Sequence, residues 1–123
     1  MLKKLFFIFS FTVSLTFAFK YTEGETLYFA KGCNGCHGVN AGGIQGYPKL
    51  ARKPENYILK KLKAYNKNQI KTQNANLMVP FAQSLNKKEM RLIAYFLENI
   101  YIEDDNLYYP DGGTWGDGGS WGF

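Results

Sequence analysis

At 123 residues the chain has room for one small domain and little else. It carries 15 basic and 10 acidic residues, a net charge of +5. That balance alone is no mark of nucleic-acid binding, because no recognised binding motif accompanies it.

The first residues read as an export signal. Lys3 and Lys4 precede an apolar run from Leu5 to Phe19 with no charge in it, and Thr16-Phe17-Ala18 makes a small-residue cleavage site. The run is shorter than the about 20 residues that a spanning helix requires. Residues 1–18 are therefore expected to be a cleaved signal peptide, with no stable membrane insertion afterwards and a periplasmic destination. The expected division is a domain over 19–102 and a tail over 103–123. Without Lys3 and Lys4 the mature net charge falls to +3.

Thr22 to Lys31 reads as a first short helix, with Leu27, Tyr28 and Ala30 available to pack inward. Gly32 then precedes Cys33-Asn34-Gly35-Cys36-His37, a C-x-x-C-H pattern built from the only two cysteines and the only histidine of the chain. Two thiols can add across the two vinyl groups of one haem, and the adjacent imidazole can serve as a neutral nitrogen ligand to the iron. All three groups find a use in one site. A thioredoxin-like redox pair would need a βαβ context, which the flanks do not offer. A structural zinc needs four ligands, more than the Cys and His supply. A Cys33–Cys36 disulfide would close too small a loop to stabilise much.

Gly38 to Lys53 is rich in breakers and reads as a loop. Pro54 suits a first helical position, and Ile58, Leu62 and Tyr65 recur at i, i+4 and i+7, giving a second helix over about 54–66. Asn66 to Leu77 is polar and amide-rich, a loop or a loose turn of helix. Asn86-Lys87-Lys88-Glu89 has the chemistry of a capping box, and Met90, Ile93, Ala94, Leu97 and Ile100 mark one apolar face of a third helix over 87–101. No segment alternates as a strand would. Three helices make a thin core, to which a covalent haem would add an apolar centre.

Charge is unevenly distributed. From Lys49 to Lys71 there are eight basic residues and Glu55 alone, whereas six acidic residues and no basic one follow from Glu98 onward. Such a dipole can steer encounter with a partner. The tail repeats a hexapeptide, Gly112-Gly113-Thr114-Trp115-Gly116-Asp117 and then Gly118-Gly119-Ser120-Trp121-Gly122-Phe123. Its glycines favour a flexible extension, although a bare linker has no need of tryptophan.

With His37 the only histidine, a second axial ligand must come from elsewhere, and methionine is the usual soft choice. Met1 leaves with the signal, so Met78 and Met90 remain. Met90 lies on the periodic face of the last helix, where Met is ordinary core filling. Met78 is expected in a loop beside Pro80, off any helical period, and is the favoured ligand.

Four segments together resemble the small bacterial class I c-type cytochromes: Cys33-Asn34-Gly35-Cys36-His37-Gly38, Gly46-Tyr47-Pro48-Lys49-Leu50-Ala51, Met78-Val79-Pro80-Phe81-Ala82 leading to Leu85, and Leu92-Ile93-Ala94-Tyr95-Phe96. The resemblance covers about residues 22–101. It implies an all-α bundle of three to four helices around one covalent haem c, with the Gly/Trp-rich tail outside it. It implies thioether attachment at Cys33 and Cys36 and iron ligation by His37 and Met78. It also implies that the Pro48 carbonyl accepts a hydrogen bond from the proximal imidazole. Gly24 and Tyr28 resemble the first-helix residues that cross the last helix near Leu92 and Tyr95. Tyr28 stands one residue farther from Cys33 than the common pattern, which leaves Phe29 as an alternative at the aromatic position. Arg52 stands where many relatives have glycine.

The expected function is that of a soluble periplasmic carrier of one electron, meeting its redox partners through a transient interface and docking on an acidic surface. Two protein ligands on the iron leave no open site for a substrate, so it is not expected to be an enzyme. Two alternatives remain: the haem subunit of a larger periplasmic oxidoreductase, such as one acting on reduced sulfur compounds, and an open-site haem enzyme or sensor lacking Met78 ligation.

Overall fold

The computed structural model describes the backbone of residues 2–101 and the side chains of residues 15–101. The tail expected over 103–123 lies outside the described residues, as do the side chains of most of the leader. Among the described residues five helices follow in order: α1 (Leu2–Ala30), α2 (Asn34–His37), α3 (Glu55–Asn66), α4 (Gln73–Gln83) and α5 (Lys87–Asn99). No strand occurs among the described residues, and the all-α expectation holds.

The first helix is longer than its expected span, because the backbone runs on as helix from the apolar leader into the domain. Its two halves differ in packing. Leu15, Phe17 and Phe19 are each more than half exposed, whereas Tyr28 is fully buried and Tyr21 stacks edge-on against Phe96, 5.2 Å between centroids. No helix among the described residues is long and apolar enough to cross a membrane.

α1 is closed off by Gly32, two residues past its end, whose φ of +76° a side chain would strain. The Gly32 amide bonds to the Phe29 carbonyl (3.0 Å) and the Cys33 amide to the Tyr28 carbonyl (3.1 Å). These are the two bonds of a Schellman motif, which satisfies the last carbonyls of the helix.

α1 crosses α5 at Gly24. A Cβ there would lie 2.7 Å from that of Phe96 and would collide with the Leu92 carbonyl. One turn on, the Tyr28 ring sits 5.5 Å from that of Phe96, while Phe29 is 39 % exposed. Tyr28 therefore holds the aromatic position, and the crossing falls at Leu92 and Phe96 rather than at Tyr95.

α5 begins with the expected capping box: the Glu89 amide donates to Asn86 Oδ1 (2.9 Å) and the Asn86 amide to Glu89 Oε2 (2.8 Å). It stops at Asn99, two residues short of its expected end. Met90, Ile93, Ala94, Leu97 and Ile100 are all buried, as their spacing requires. Ion pairs Lys31–Glu89 (3.3 Å) and Lys88–Glu23 (4.0 Å) join α1 to α5.

α3 starts at Glu55 with Pro54 as its N-cap, one residue later than expected, and buries Ile58, Leu62 and Tyr65. It packs on both α5 and α4. The core is accordingly divided. The larger cluster joins Tyr28 of α1, Ile58 and Leu62 of α3 and the buried face of α5. The smaller joins Ala64, Tyr65 and Ile70 to Ala75 and Ala82 of α4.

α4 corrects the expectation of a loop through Met78. The Thr72 side chain caps it by accepting from the Ala75 amide (3.2 Å), and the helix carries Pro80 within it. Ala75 and Ala82 are fully buried against α3, and Met78, three residues after Ala75, is half-buried on the same cluster. Met78 is thus on a helical period set by two alanines, small enough to let α4 approach α3 closely.

Candidate functional site

The end of α1 delivers Cys33 to α2, where the Cys33 carbonyl accepts from the His37 amide at 3.0 Å. Positions i, i+3 and i+4 of one helical turn share a face, so Cys33, Cys36 and His37 stand together. Both thiols are free and half-buried. Burial holds the Cys33 thiol up at about 11, so it is protonated at neutral pH. Tyr28 braces the far side of the turn: its hydroxyl donates to the Gly38 carbonyl at 2.6 Å.

His37 is 4 % exposed. Burial pushes its pKa down against the opposing pull of a hydrogen bond with Pro48, which favours the neutral imidazole. Nδ1 lies 2.9 Å from the Pro48 carbonyl. A carbonyl only accepts, so Nδ1 carries the proton and Nε2 keeps its lone pair. The ring is therefore fixed in the tautomer that a metal ligand requires. Tyr47 contacts it at 6.4 Å between centroids.

The loop from Gly38 to Lys53 folds so that its end returns over its start. The buried Ala41 carbonyl accepts from the amides of Leu50 (2.8 Å) and Ala51 (2.9 Å). The Gly43 amide donates to the His37 carbonyl (2.8 Å), and the Arg52 amide to the Leu97 carbonyl at the end of α5 (2.8 Å). A sequence reading registers this stretch only as breaker-rich. The glycine pair at 42–43 was the available signal of a close backbone approach.

Apolar side chains rim the turn. Phe81 approaches Gly32, 3.8 Å from the place of a Cβ there, and Ile44 approaches Gly38 at 3.5 Å. Phe81 is 42 % exposed, Ile44 51 % and Val39 66 %. A flat apolar macrocycle would find two thiols, a neutral imidazole with a free lone pair and an apolar rim. The donor set fits a haem. Met78 offers a half-buried thioether on α4, whereas Met90 is 3 % exposed within the larger core cluster.

Residues 21–100 match the family model of cytochrome c. The chain belongs to the cytochrome c family. A curated relative, cytochrome c-554(548) of Halomonas halodenitrificans, is 37 % identical over 65 residues, covering 52 % of this chain and 78 % of the relative. The cofactor of this cytochrome c is covalent haem c, for which Cys33 and Cys36 supply the C-x-x-C-H pattern. Bound haem supplies an iron that cycles between two oxidation states, the chemistry of haem-based electron transfer.

Proposed function

We propose that this cytochrome c is a periplasmic carrier of one electron, attached to its haem through Cys33 and Cys36 and ligating the iron with His37 and Met78. The observation that carries this reading is the buried His37 ring, held by the Pro48 carbonyl with Nε2 as its free nitrogen. Met90 belongs to the core packing of α5, which leaves Met78 as the thioether for the opposite face.

Export is supported by the packing of α1. Leu15, Phe17 and Phe19 leave their apolar side chains exposed, and among the described residues the packing against α5 starts at Tyr21. Cleavage after Ala18 would therefore remove no residue of the described core. The partner is a redox protein with an acidic docking surface, met by the basic stretch from Lys49 to Lys71, in which Arg52, Lys60, Lys63, Lys67 and Lys71 are exposed.

Intact-mass measurement on the exported protein tests the attachment: the expected mass is that of the chain from Phe19 plus one haem, retained in acid and organic solvent. A mass of bare polypeptide overturns the reading. Met78→Ala is expected to lower the potential and let the reduced protein bind carbon monoxide, while Met90→Leu changes neither. The opposite pattern would make Met90 the ligand. Carbon monoxide binding by the unaltered protein would favour an open-site haem protein instead.

A further inference from the structure

We infer that Gly43 is a positioning residue for the proximal imidazole: its missing side chain sets how close the Pro48 carbonyl comes to His37 Nδ1. This rests on the reading of His37 as the iron ligand.

Gly43 lies between the backbones of the two residues that make that hydrogen bond. Its amide donates to the His37 main-chain carbonyl at 2.8 Å. On its other side, a Cβ would stand 2.7 Å from the Tyr47 carbonyl oxygen, 3.0 Å from the Lys49 nitrogen and 3.1 Å from the Pro48 carbonyl carbon. All three are backbone atoms, so no flexible side chain can swing aside to make room. The segment Tyr47–Lys49 would have to move as a unit, and it carries the Pro48 oxygen with it.

Gly46 shows that backbone conformation is not what singles Gly43 out. The two glycines have nearly the same φ, +85° at Gly43 and +84° at Gly46. A Cβ at Gly46 would meet nothing within 4 Å. A side chain at either position carries the same left-handed strain. Only at Gly43 does it also displace the acceptor of the imidazole proton.

The direction of the effect follows. A proton shared with a carbonyl raises the electron donation of the opposite nitrogen, which favours the oxidised metal. A longer bond weakens that donation. The potential of a Gly43 variant should therefore shift to more positive values.

Gly43→Ala and Gly46→Ala, with Gly43→Asn and Gly46→Asn as a second pair, separate crowding from strain, because Asn tolerates the left-handed region better than Ala. The holoproteins are compared by equilibrium redox titration and by the proton chemical shift of His37 Nδ1–H in the reduced state. The expected result is a positive potential shift and an upfield move of that proton in both Gly43 variants, with neither change in the Gly46 variants. Equal potentials in all five proteins overturn the inference. So does failure of both Gly43 variants to yield holoprotein, because the glycine then serves the fold as a whole. The underlying assignment fails separately: unaltered protein without a His37 ligand signature would refute the ligand, whatever Gly43 does.

Discussion

The side-chain amide of Asn66, the last residue of α3, donates to the Ala82 carbonyl at 2.9 Å, and the same nitrogen lies 3.4 Å from the Leu85 carbonyl. One side chain thus ties the end of α3 to the end of α4. Asn66→Ala leaves two carbonyls without this partner and is expected to cost about 1 kcal/mol. Hydrogen exchange should show the loss locally. Amides of Leu77, Met78 and Val79 should speed up, while those of Ile93 and Ala94 keep their protection.

The crossing of α1 and α5 tolerates no side chain at Gly24. Gly24→Ala drives a methyl into the Leu92 carbonyl and the Phe96 side chain, an overpacking expected to cost about 1–3 kcal/mol. Tyr28→Ala opens a void in the buried cluster and is expected to cost about 3–5 kcal/mol, well above Phe29→Ala. Denaturant melts of the three holoproteins check the order. A larger loss at Phe29 would move the aromatic position by one residue.

Glu89 gives the fold an acid-sensitive contact. The Asn86 amide holds its carboxyl below the usual carboxylate range, and Lys31 adds to the effect. A folded-state pKa below the unfolded one adds stability that is complete above the ordinary carboxylate value and is lost as pH falls through the folded value. Gln can still accept the Asn86 amide, so Glu89→Gln removes the charge alone. The variant should be less stable than the unaltered protein near pH 7, with the gap closing in acid. A gap independent of pH would mean that the charge contributes nothing.

Electron transfer with an acidic redox protein should slow as ionic strength rises, since the Debye length is about 8 Å at physiological salt. Stopped-flow rates over a salt series measure this. Replacing Lys60 and Lys63 by Gln should flatten the dependence, and a rate indifferent to salt would reduce the basic stretch to an ordinary solvated surface.

Truncation after Tyr101 should leave the haem spectrum, the potential and the melting temperature unchanged. The last described helix ends at Asn99 and the larger core cluster at Ile100, so the described core is complete without residues 102–123. Loss of haem on truncation would make the tail part of the fold.

The legible parts of the sequence were those in which one residue type has few uses. A lone histidine after two lone cysteines identifies its own chemistry, and the apolar face of α5 and its capping box stand out by spacing. α4 was obscured because its buried positions are alanines among Gln73, Asn74 and Asn76, with Pro80 mimicking a breaker. Alanine burial carries almost no hydropathy signal, so Met78 looked like a loop residue. The role of Gly43 was equally hidden, since the atoms that crowd it come from residues four to six positions later.

The division of the core has a kinetic consequence. Cys33 is bonded into the cap of α1, and through Tyr28 and Phe96 it shares the fate of the large cluster. Met78 shares the fate of the small one, which holds two alanines on α4 and leans on Asn66. Cooperative units of unequal size open at different free energies, the smaller first. With the ligands proposed above, the two faces of the haem would then be guarded by separate foldons, and the methionine side would open while the cysteine and histidine side stayed native.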